Sequence, residues 1–446
     1  MATTATGQVE PAVLKKVIAA AAIGNFVEWF DFAVYGFLAT IIAKEFFAST
    51  DTSVALLKTF AVFAVAFALR PLGGIFFGML GDRLGRKKIL SLTILLMAGA
   101  TTVIGLLPTY ASIGILAPVL LTLTRCVQGF SAGGEYAGAC AYLMEHAPND
   151  KRAWYGSFVP VSTFSAFACA AVLAYALEAT LSPENMASWG WRIPFLIAAP
   201  LGIVGLYLRW KMEETPAFQQ ALAEDDVTAH SPLKETLRSH GNAICCLGAF
   251  ISLTALSFYM FTTYFATYLQ VAGGLSRAAA LLVSTVALVF AALACPVAGA
   301  LSDRFGRRKT VKYTCLWLIV AVYPAYFLAS SGSVVAAIVG VVMLAIGALS
   351  CGVVTAALLS ETFPTRTRYT ASAITYNMAY TIFGGTAPLM ATWLIGLTGS
   401  NMAPAFYLIV IALLALAGGM ALPETSRISL HGAAPARDAV GTRSLA

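Results

Sequence analysis

Charge is what this chain has least of. Of its 446 residues only 11% are Asp, Glu, Lys or Arg, against roughly 25% in ordinary soluble domains, so a normal water-facing surface cannot be built from it and a soluble enzyme is not expected. Histidine is nearly as scarce. The four present, His146, His230, His240 and His431, fall in loops or at the ends of apolar runs, where none serves as a mid-membrane proton relay. The eight cysteines have spacings that match neither a disulfide framework nor a zinc site, and they read as small buried hydrophobes. Paired His-Glu metal spacing and a phosphate-binding loop are also missing, so no enzyme activity, metal or cofactor is expected.

What the chain has in abundance is apolar sequence, 59% of the total. A bilayer core of about 30 Å needs about 20 apolar residues per spanning helix. Runs of that size fall near 17–43, 54–80, 89–107, 113–143, 153–179, 190–209, 241–270, 278–301, 311–329, 334–360, 369–398 and 402–422. The expected fold is therefore all-α and integral to the membrane, with twelve spans. Turn formers separate the runs, as at Pro148-Asn149-Asp150 and Ser330-Ser331-Gly332. The first run is as long as a full span and many others follow it, so it reads as a helix and not as a cleaved leader. The organisation expected is a six-helix bundle over 1–210, a polar cytoplasmic linker over 211–240, a second six-helix bundle over 241–422 and a short cytoplasmic tail over 423–446 that reads as disordered.

Basic residues set the orientation. With both termini in the cytoplasm, 22 of the 28 Lys and Arg fall on the inner side and four on the outer side, Lys44, Lys58, Arg192 and Arg277. That asymmetry is the positive-inside pattern, and it explains the net charge of +7 without nucleic acid. Arg192, beside Trp189 and Trp191, reads as an interfacial anchor. The remaining two arginines, Arg70 and Arg125, lie inside spans.

An internal repeat is present. The segment Gly78-Met-Leu-Gly-Asp-Arg-Leu-Gly-Arg-Lys-Lys88 recurs as Gly299-Ala-Leu-Ser-Asp-Arg-Phe-Gly-Arg-Arg-Lys309, with seven of eleven positions identical. A weaker echo relates Glu145, Pro148 and Arg152 to Glu361, Pro364 and Arg368. Two echoes at nearly one offset imply a duplicated six-helix unit, an arrangement that puts a substrate site between the halves near the membrane midplane. Topology alone explains the basic residues of these loops, but not an acid and two glycines kept in both copies. The loops resemble the signature of the major facilitator superfamily, Gly-x-Leu-x-Asp-Arg-x-Gly-Arg-(Lys/Arg) in each half. The resemblance implies two pseudo-symmetric bundles and alternating access. It also implies a conformational latch, carried here by Asp82, Arg83 and Arg86 in one loop and Asp303, Arg304 and Arg307 in the other.

Ionisable groups inside a span cost about 2.5–3.5 kcal/mol on insertion scales and are candidate functional groups by default. Five stand out, all in the first half: Glu28, Asp31, Arg70, Arg125 and Glu135. In the first span Asn25, Glu28, Asp31 or Phe32, and Tyr35 recur at three- to four-residue spacing and share one face. By rise per residue, Glu28 and Arg70 reach similar depths, so they can pair. The run Arg125-Cys-Val-Gln128-Gly129 resembles the fourth-span motif of proton-coupled members of the superfamily. Burial raises a carboxyl pKa and a nearby Arg lowers it, so an acid beside a movable Arg can load and release a proton. Glu28, Asp31 and Glu135 remain alternative proton carriers, with Arg125 as coupling partner.

Further stretches narrow the resemblance. Gly24-Asn-Phe-Val-Glu-Trp-Phe-Asp-Phe32, Gln128-Gly-Phe-Ser-Ala-Gly-Gly-Glu-Tyr136 and Trp189-Gly-Trp-Arg-Ile-Pro-Phe195 are similar to the metabolite:proton symporter branch, which includes bacterial proline/glycine betaine, citrate and 2-oxoglutarate importers. The extended C-terminal coiled coil of some osmosensing members has no counterpart after Pro423, which argues against osmotic activation. Arg70 and Arg125 suit a carboxylate clamp. Aromatics including Tyr35, Tyr259, Tyr264 and Tyr376 suit a quaternary ammonium cage. The expected activity is proton symport of a small carboxylate-bearing solute, placed first with a di- or tricarboxylate or 2-oxo acid and alternatively with proline or glycine betaine; a proton-driven exporter is the third reading. The expected substrate-binding residues are Asn25, Tyr35, Arg70, Arg125, Gln128, Tyr259, Tyr264 and Tyr376. The proton is the coupling ion, the bilayer and a small solute are the partners, and no obligate protein partner is expected. The expected location is the bacterial inner membrane.

Overall fold

A bilayer offers no hydrogen bonds to a peptide group, so a chain this apolar folds into helices that satisfy their own backbone. The computed structural model describes residues 11–428 apart from 50, 85, 134–135, 137–139, 141–142, 145–146, 211–231, 364–367 and 427, and within its helices leaves aside the side chains of 11–17, 20–21, 78–79, 81–90, 208–210, 232–239 and 368–370. Among the described residues eight helices are long and apolar enough to span, or ten when each of two bent pairs is one span. In chain order the twelve apolar runs become α1 (Ala22–Phe37 bent by 62° into Ala39–Phe46), α2 (Thr52–Phe77), α3 (Ser91–Leu106), α4 (Leu116–Ser131), α5 (Arg152–Thr180) and α6 (Pro183–Gly190 bent by 41° into Arg192–Tyr207). The second set is α7 (His240–Val271), α8 (Arg277–Phe305), α9 (Arg307–Ala329), α10 (Val334–Glu361), α11 (Ala371–Thr398) and α12 (Ala403–Ala421).

Local sequence fixes the starts. Asp51, Ser182, Ser276 and Ser333 precede their helices and accept first-turn N–H groups, as from Ser53 to the Asp51 carboxylate at 2.7 Å. Packing then repeats between the halves. α1 lies on α5 as α7 lies on α11, α2 on α4 as α8 on α10, and α3 on α6 as α9 on α12. The two bundles meet along α5 with α8 and α2 with α11. Large aliphatics such as Leu293, Val320 and Val335 point outward, where lipid replaces water.

Three expectations change. Residues 232–239, assigned to the polar linker, are helical and run into α7 through a kink at His240 (φ −125°, ψ 17°); residues 211–231 lie outside the described residues. The tail does not leave the protein at Pro423. Thr425 is buried and donates to Glu361 at 2.7 Å, because the charged end of α10 offers it an acceptor. Only four cysteines, Cys140, Cys295, Cys315 and Cys351, are buried; Cys169 and Cys245 are exposed, since an apolar span has an outer face as well as a core face.

Candidate functional site

The polar stripe of α1 faces the bundle interior. Asn25 donates to Ser162 Oγ at 2.8 Å and Thr163 Oγ1 at 2.7 Å on α5, and its own Oδ1 accepts from Trp29 Nε1 at 2.9 Å. The amide is thus committed to bracing α1 against α5 and to orienting the Trp29 indole.

One turn on, Glu28 Oε1 accepts from Arg70 Nη2 at 3.4 Å, and the same nitrogen donates to the Ala132 carbonyl at 3.2 Å. Both side chains are buried. The guanidinium is ringed by Trp29, Phe32 and Phe67 at 5.9, 5.5 and 5.2 Å from the ring centroids. Its Nε and Nη1 have no hydrogen-bond partner. Close backbone approach puts it there: Gly73 and Gly74 of α2 abut Phe130 and Gly133 at the end of α4, where any Cβ would strike a main-chain carbonyl.

Arg125 is held differently. It stacks on Tyr35 at 4.3 Å and lies 5.4 Å from Phe32 and 5.2 Å from Phe63, while Nη1 bonds the Gln128 amide oxygen. Gln128 in turn donates to Thr101 of α3 at 2.7 Å, and Tyr35 donates to the Thr59 carbonyl at 2.9 Å. Both Asp31 carboxylate oxygens are buried without a hydrogen bond. A cavity of about 10 Å³, lined in part by Glu28, Asp31, Thr93 and Ser131, adjoins these acids; that is about the space of one water. The run Gly129-Phe-Ser-Ala-Gly133 has a hydrolase-like spacing, but Ser131 ends a helix and donates to the Gln128 carbonyl at 2.9 Å, so it is not on a strand-to-helix elbow.

The second bundle contributes aromatics. α7 and α11 each contain a π-helical turn, Met260–Tyr264 and Tyr380–Gly384, a feature that locally re-aims side chains. Beside these turns Tyr259 and Tyr380 meet edge to face at 6.1 Å. Tyr376 is stacked between Tyr136 (4.6 Å) and Tyr380 (4.0 Å). Trp29 meets Phe258 at 5.1 Å. The hydroxyls of Tyr259 and Tyr376 are buried without partners, and Arg70 lies within electrostatic reach of both. Tyr264 sits further along, against Phe60 at 6.1 Å, outside the Arg70 group.

The bundles touch at both ends. At the end carrying the Gly299–Lys309 loop, Asp303 accepts N–H groups of Ala153 and Trp154 at 3.0 and 2.8 Å and pairs with Arg307 at 2.9 Å. Arg307 and Arg152 both pair with Glu361, at 2.9 and 3.2 Å. Arg304 is exposed and lies over its neighbour Phe305. Asn377 donates to Gly133 O at 2.8 Å. Within the spans Thr381 donates to Phe67 O at 2.9 Å, and at the opposite end Arg277 pairs with Glu178 at 3.5 Å. Arg192 donates to the carbonyls of Gly105 and Leu107. Glu135 and the side chains of Asp82, Arg83 and Arg86 lie outside the described residues.

Sequence reasoning missed three contributors. Arg152 pairs across to Glu361, although the repeat echo already contained both. Thr101 is silent in sequence because only the α3–α4 contact brings it to Gln128. Glu424 accepts the N–H groups of Arg307 and Arg308 at 2.7 and 3.1 Å, a contact no spacing announces.

Two like helical bundles around a buried set of compensated charges and aromatics define a membrane transport protein, not an enzyme. The chain belongs to the major facilitator superfamily, whose family model matches residues 21–388 and again 268–437. It is 42% identical over 433 residues to a proline/betaine transporter of Salmonella typhimurium, covering 95% of this chain and 86% of that protein. It is 40% identical, with the same coverage, to the proline/betaine transporter of Escherichia coli K12. A glycine betaine/proline/ectoine/pipecolic acid transporter of Dickeya dadantii is 39% identical over 432 residues, again covering 95% and 86%. Among solved structures, the proton:xylose symporter XylE bound to 6-bromo-6-deoxy-D-glucose superposes with a TM-score of 0.73 at 18% identity, over 95% of this chain and 98% of that one. That likeness concerns the fold.

Proposed function

We propose that the protein is a proton-coupled symporter of a small zwitterionic solute of the proline/glycine betaine class. The observation that carries the reading is the charge balance of the site. Among the described residues Glu28 and Asp31 offset Arg70 and Arg125, and aromatic rings from both bundles surround them. A di- or tricarboxylate would bring two or three uncompensated charges into that setting, and desolvating them is costly. A zwitterion brings none. Its carboxylate suits a guanidinium and its ammonium suits the faces of Trp29, Phe258 and Tyr259. Similarity to the proline/betaine transporters favours the same solute over the metabolic acid expected first from sequence.

Transport in this reading is alternating access. The contacts at the two ends of the bundle interface break in turn, while Glu28, Asp31 and Arg125 handle the coupling proton. The end bearing the basic loops faces the cytoplasm of a bacterial inner membrane, and no cofactor other than the proton takes part.

The test is uptake by proteoliposomes under an acid-outside gradient, with labelled glycine betaine, proline, citrate and 2-oxoglutarate, with and without an uncoupler. Uncoupler-sensitive accumulation of betaine or proline is expected. Accumulation of only the organic acids would return the site to a carboxylate clamp, and failure of all four would favour the exporter.

A further inference from the structure

The Arg70 guanidinium is only partly used. Its Nη2 is shared between Glu28 at 3.4 Å and the Ala132 carbonyl at 3.2 Å, whereas charge-assisted N–H···O contacts in strong pairs run near 2.7–2.9 Å. Nε and Nη1 are buried with no acceptor, and so are the hydroxyls of Tyr259 and Tyr376 from the other bundle. Four buried donors from α2, α7 and α11 thus lack an acceptor, in one region shared by the two bundles. Such groups are costly to leave unsatisfied. An incoming carboxylate supplies acceptors for all of them.

We propose that the solute carboxylate docks on Arg70 with the Tyr259 and Tyr376 hydroxyls, displacing Glu28 from the guanidinium, and that the displaced Glu28 then takes the coupling proton. The proposal rests on the zwitterion symport reading and assigns its carboxylate subsite and its proton carrier. The step is an exchange of partners. The Arg70–Glu28 contact breaks, Arg70–solute contacts form, and one O–H bond forms on Glu28 with a proton from the aqueous phase. The solute carboxylate replaces Glu28 as the partner of Arg70, and because the solute is neutral overall the proton leaves the loaded site with one more positive charge than the empty one, that of the solute ammonium against the aromatic faces.

The surroundings fit this exchange. Among the described residues the charged and titratable groups facing Glu28 are Arg70 from α2, Asp31 on its own helix and Tyr259 from α7. The water-sized cavity touching Glu28 and Asp31, with Thr93 and Ser131 also in its wall, gives the proton a place to arrive. Because Arg70 belongs to one bundle and the tyrosines to the other, the subsite is whole only when the bundles close on the solute. Binding is thereby tied to occlusion. Arg125 also has two buried nitrogens without an acceptor, but it is stacked on Tyr35 and bonded to Gln128, and among the described residues no carboxylate hydrogen-bonds it for a solute to displace.

The experiment measures labelled betaine binding and proton uptake together, on purified full-length protein in weakly buffered detergent solution. Wild type is expected to take up protons in proportion to betaine bound. Choline, which has the quaternary ammonium but no carboxylate, is expected to elicit no proton uptake. Glu28→Gln is expected to bind betaine and take up no proton, and Tyr259→Phe with Tyr376→Phe to weaken betaine binding by about tenfold or more, the scale of a lost pair of hydrogen bonds. Betaine binding by wild type without proton uptake, or undiminished proton uptake in Glu28→Gln, overturns the exchange while leaving the solute class standing. Failure of wild type to bind either betaine or proline overturns both.

Discussion

Arg152 and Glu361 are 209 residues apart in the chain and 3.2 Å apart in the protein, each completely buried. The pair ties the start of α5 to the end of α10, and so one bundle to the other. Arg307 shares the same carboxylate, which makes Glu361 the common anion of two cations.

Glu361→Ala therefore strands the buried Arg152 guanidinium and leaves Arg307 with Asp303 as its one carboxylate among the described residues. Removing one partner of a buried pair costs about 3–5 kcal/mol, enough to shift a two-state equilibrium strongly. The closed arrangement at this end is expected to lose population. Maleimide labelling of a cysteine placed at Trp154 is expected to accelerate in the Glu361→Ala background, and unchanged labelling would show that the pair does not hold the end closed.

Gly133 lies against the Arg70 carbonyl and Gly74 backbone, with no room for a Cβ, whereas a Cβ at Gly99 meets nothing within 4 Å. Overpacking of this kind costs about 1–3 kcal/mol. Gly133→Ala is expected to lower the melting temperature in detergent and displace Arg70, reducing uptake, while Gly99→Ala leaves both unchanged. Equal melting temperatures for the two variants would contradict the close approach.

Arg125 packs its flat guanidinium on Tyr35 at 4.3 Å and bonds Gln128. A lysine keeps the charge but not the plane or the fork of donors. Arg125→Lys is expected to cut gradient-driven uptake by about tenfold or more, on the scale of one lost charge-assisted contact. Wild-type uptake in this variant would show that a point charge suffices.

Glu424 gives a pH-dependent contact outside the spans. Burial pushes its carboxyl up, but the N–H groups of Arg307, Ser426 and Arg308 outweigh burial and hold it below the ordinary 4.5. A carboxyl lowered in the folded state adds stability at neutral pH, and that stability is lost as pH falls below its ordinary value and through the lowered one. The docked segment 423–426 is expected to resist proteolysis at pH 7 and to become cleavable only as the pH falls below 4.5. Glu424→Gln is expected to be cleavable already at pH 7, and protection equal to wild type would show that the charge is not what docks the segment.

The spans were legible because a bilayer imposes a length and a composition that leave a plain trace in sequence, and the duplicated loops exposed the two-bundle plan. The candidate site was legible in its charges, since Glu28, Asp31, Arg70 and Arg125 are conspicuous in apolar runs. Their partners were not. Similar depth allowed a Glu28–Arg70 pair, but nothing in sequence separated Arg70, paired with Glu28 beside two tyrosine hydroxyls, from Arg125, stacked on Tyr35 and bonded to Gln128, each with two further buried nitrogens that lack a partner. Nor does sequence show that Asn25, expected among the substrate ligands, hydrogen-bonds across to Ser162 and Thr163 of α5.

Sequence by itself determined how many helices there are, which of them repeat and which carry buried charge, because hydrophobic length and charge density act along the chain. Tertiary structure alone decided which charge meets which partner. Helix rotation, the glycine contacts of α2 with α4, and the π-helical turns of α7 and α11 place side chains across the bundle interface, and those are relations between elements that no single stretch of sequence contains.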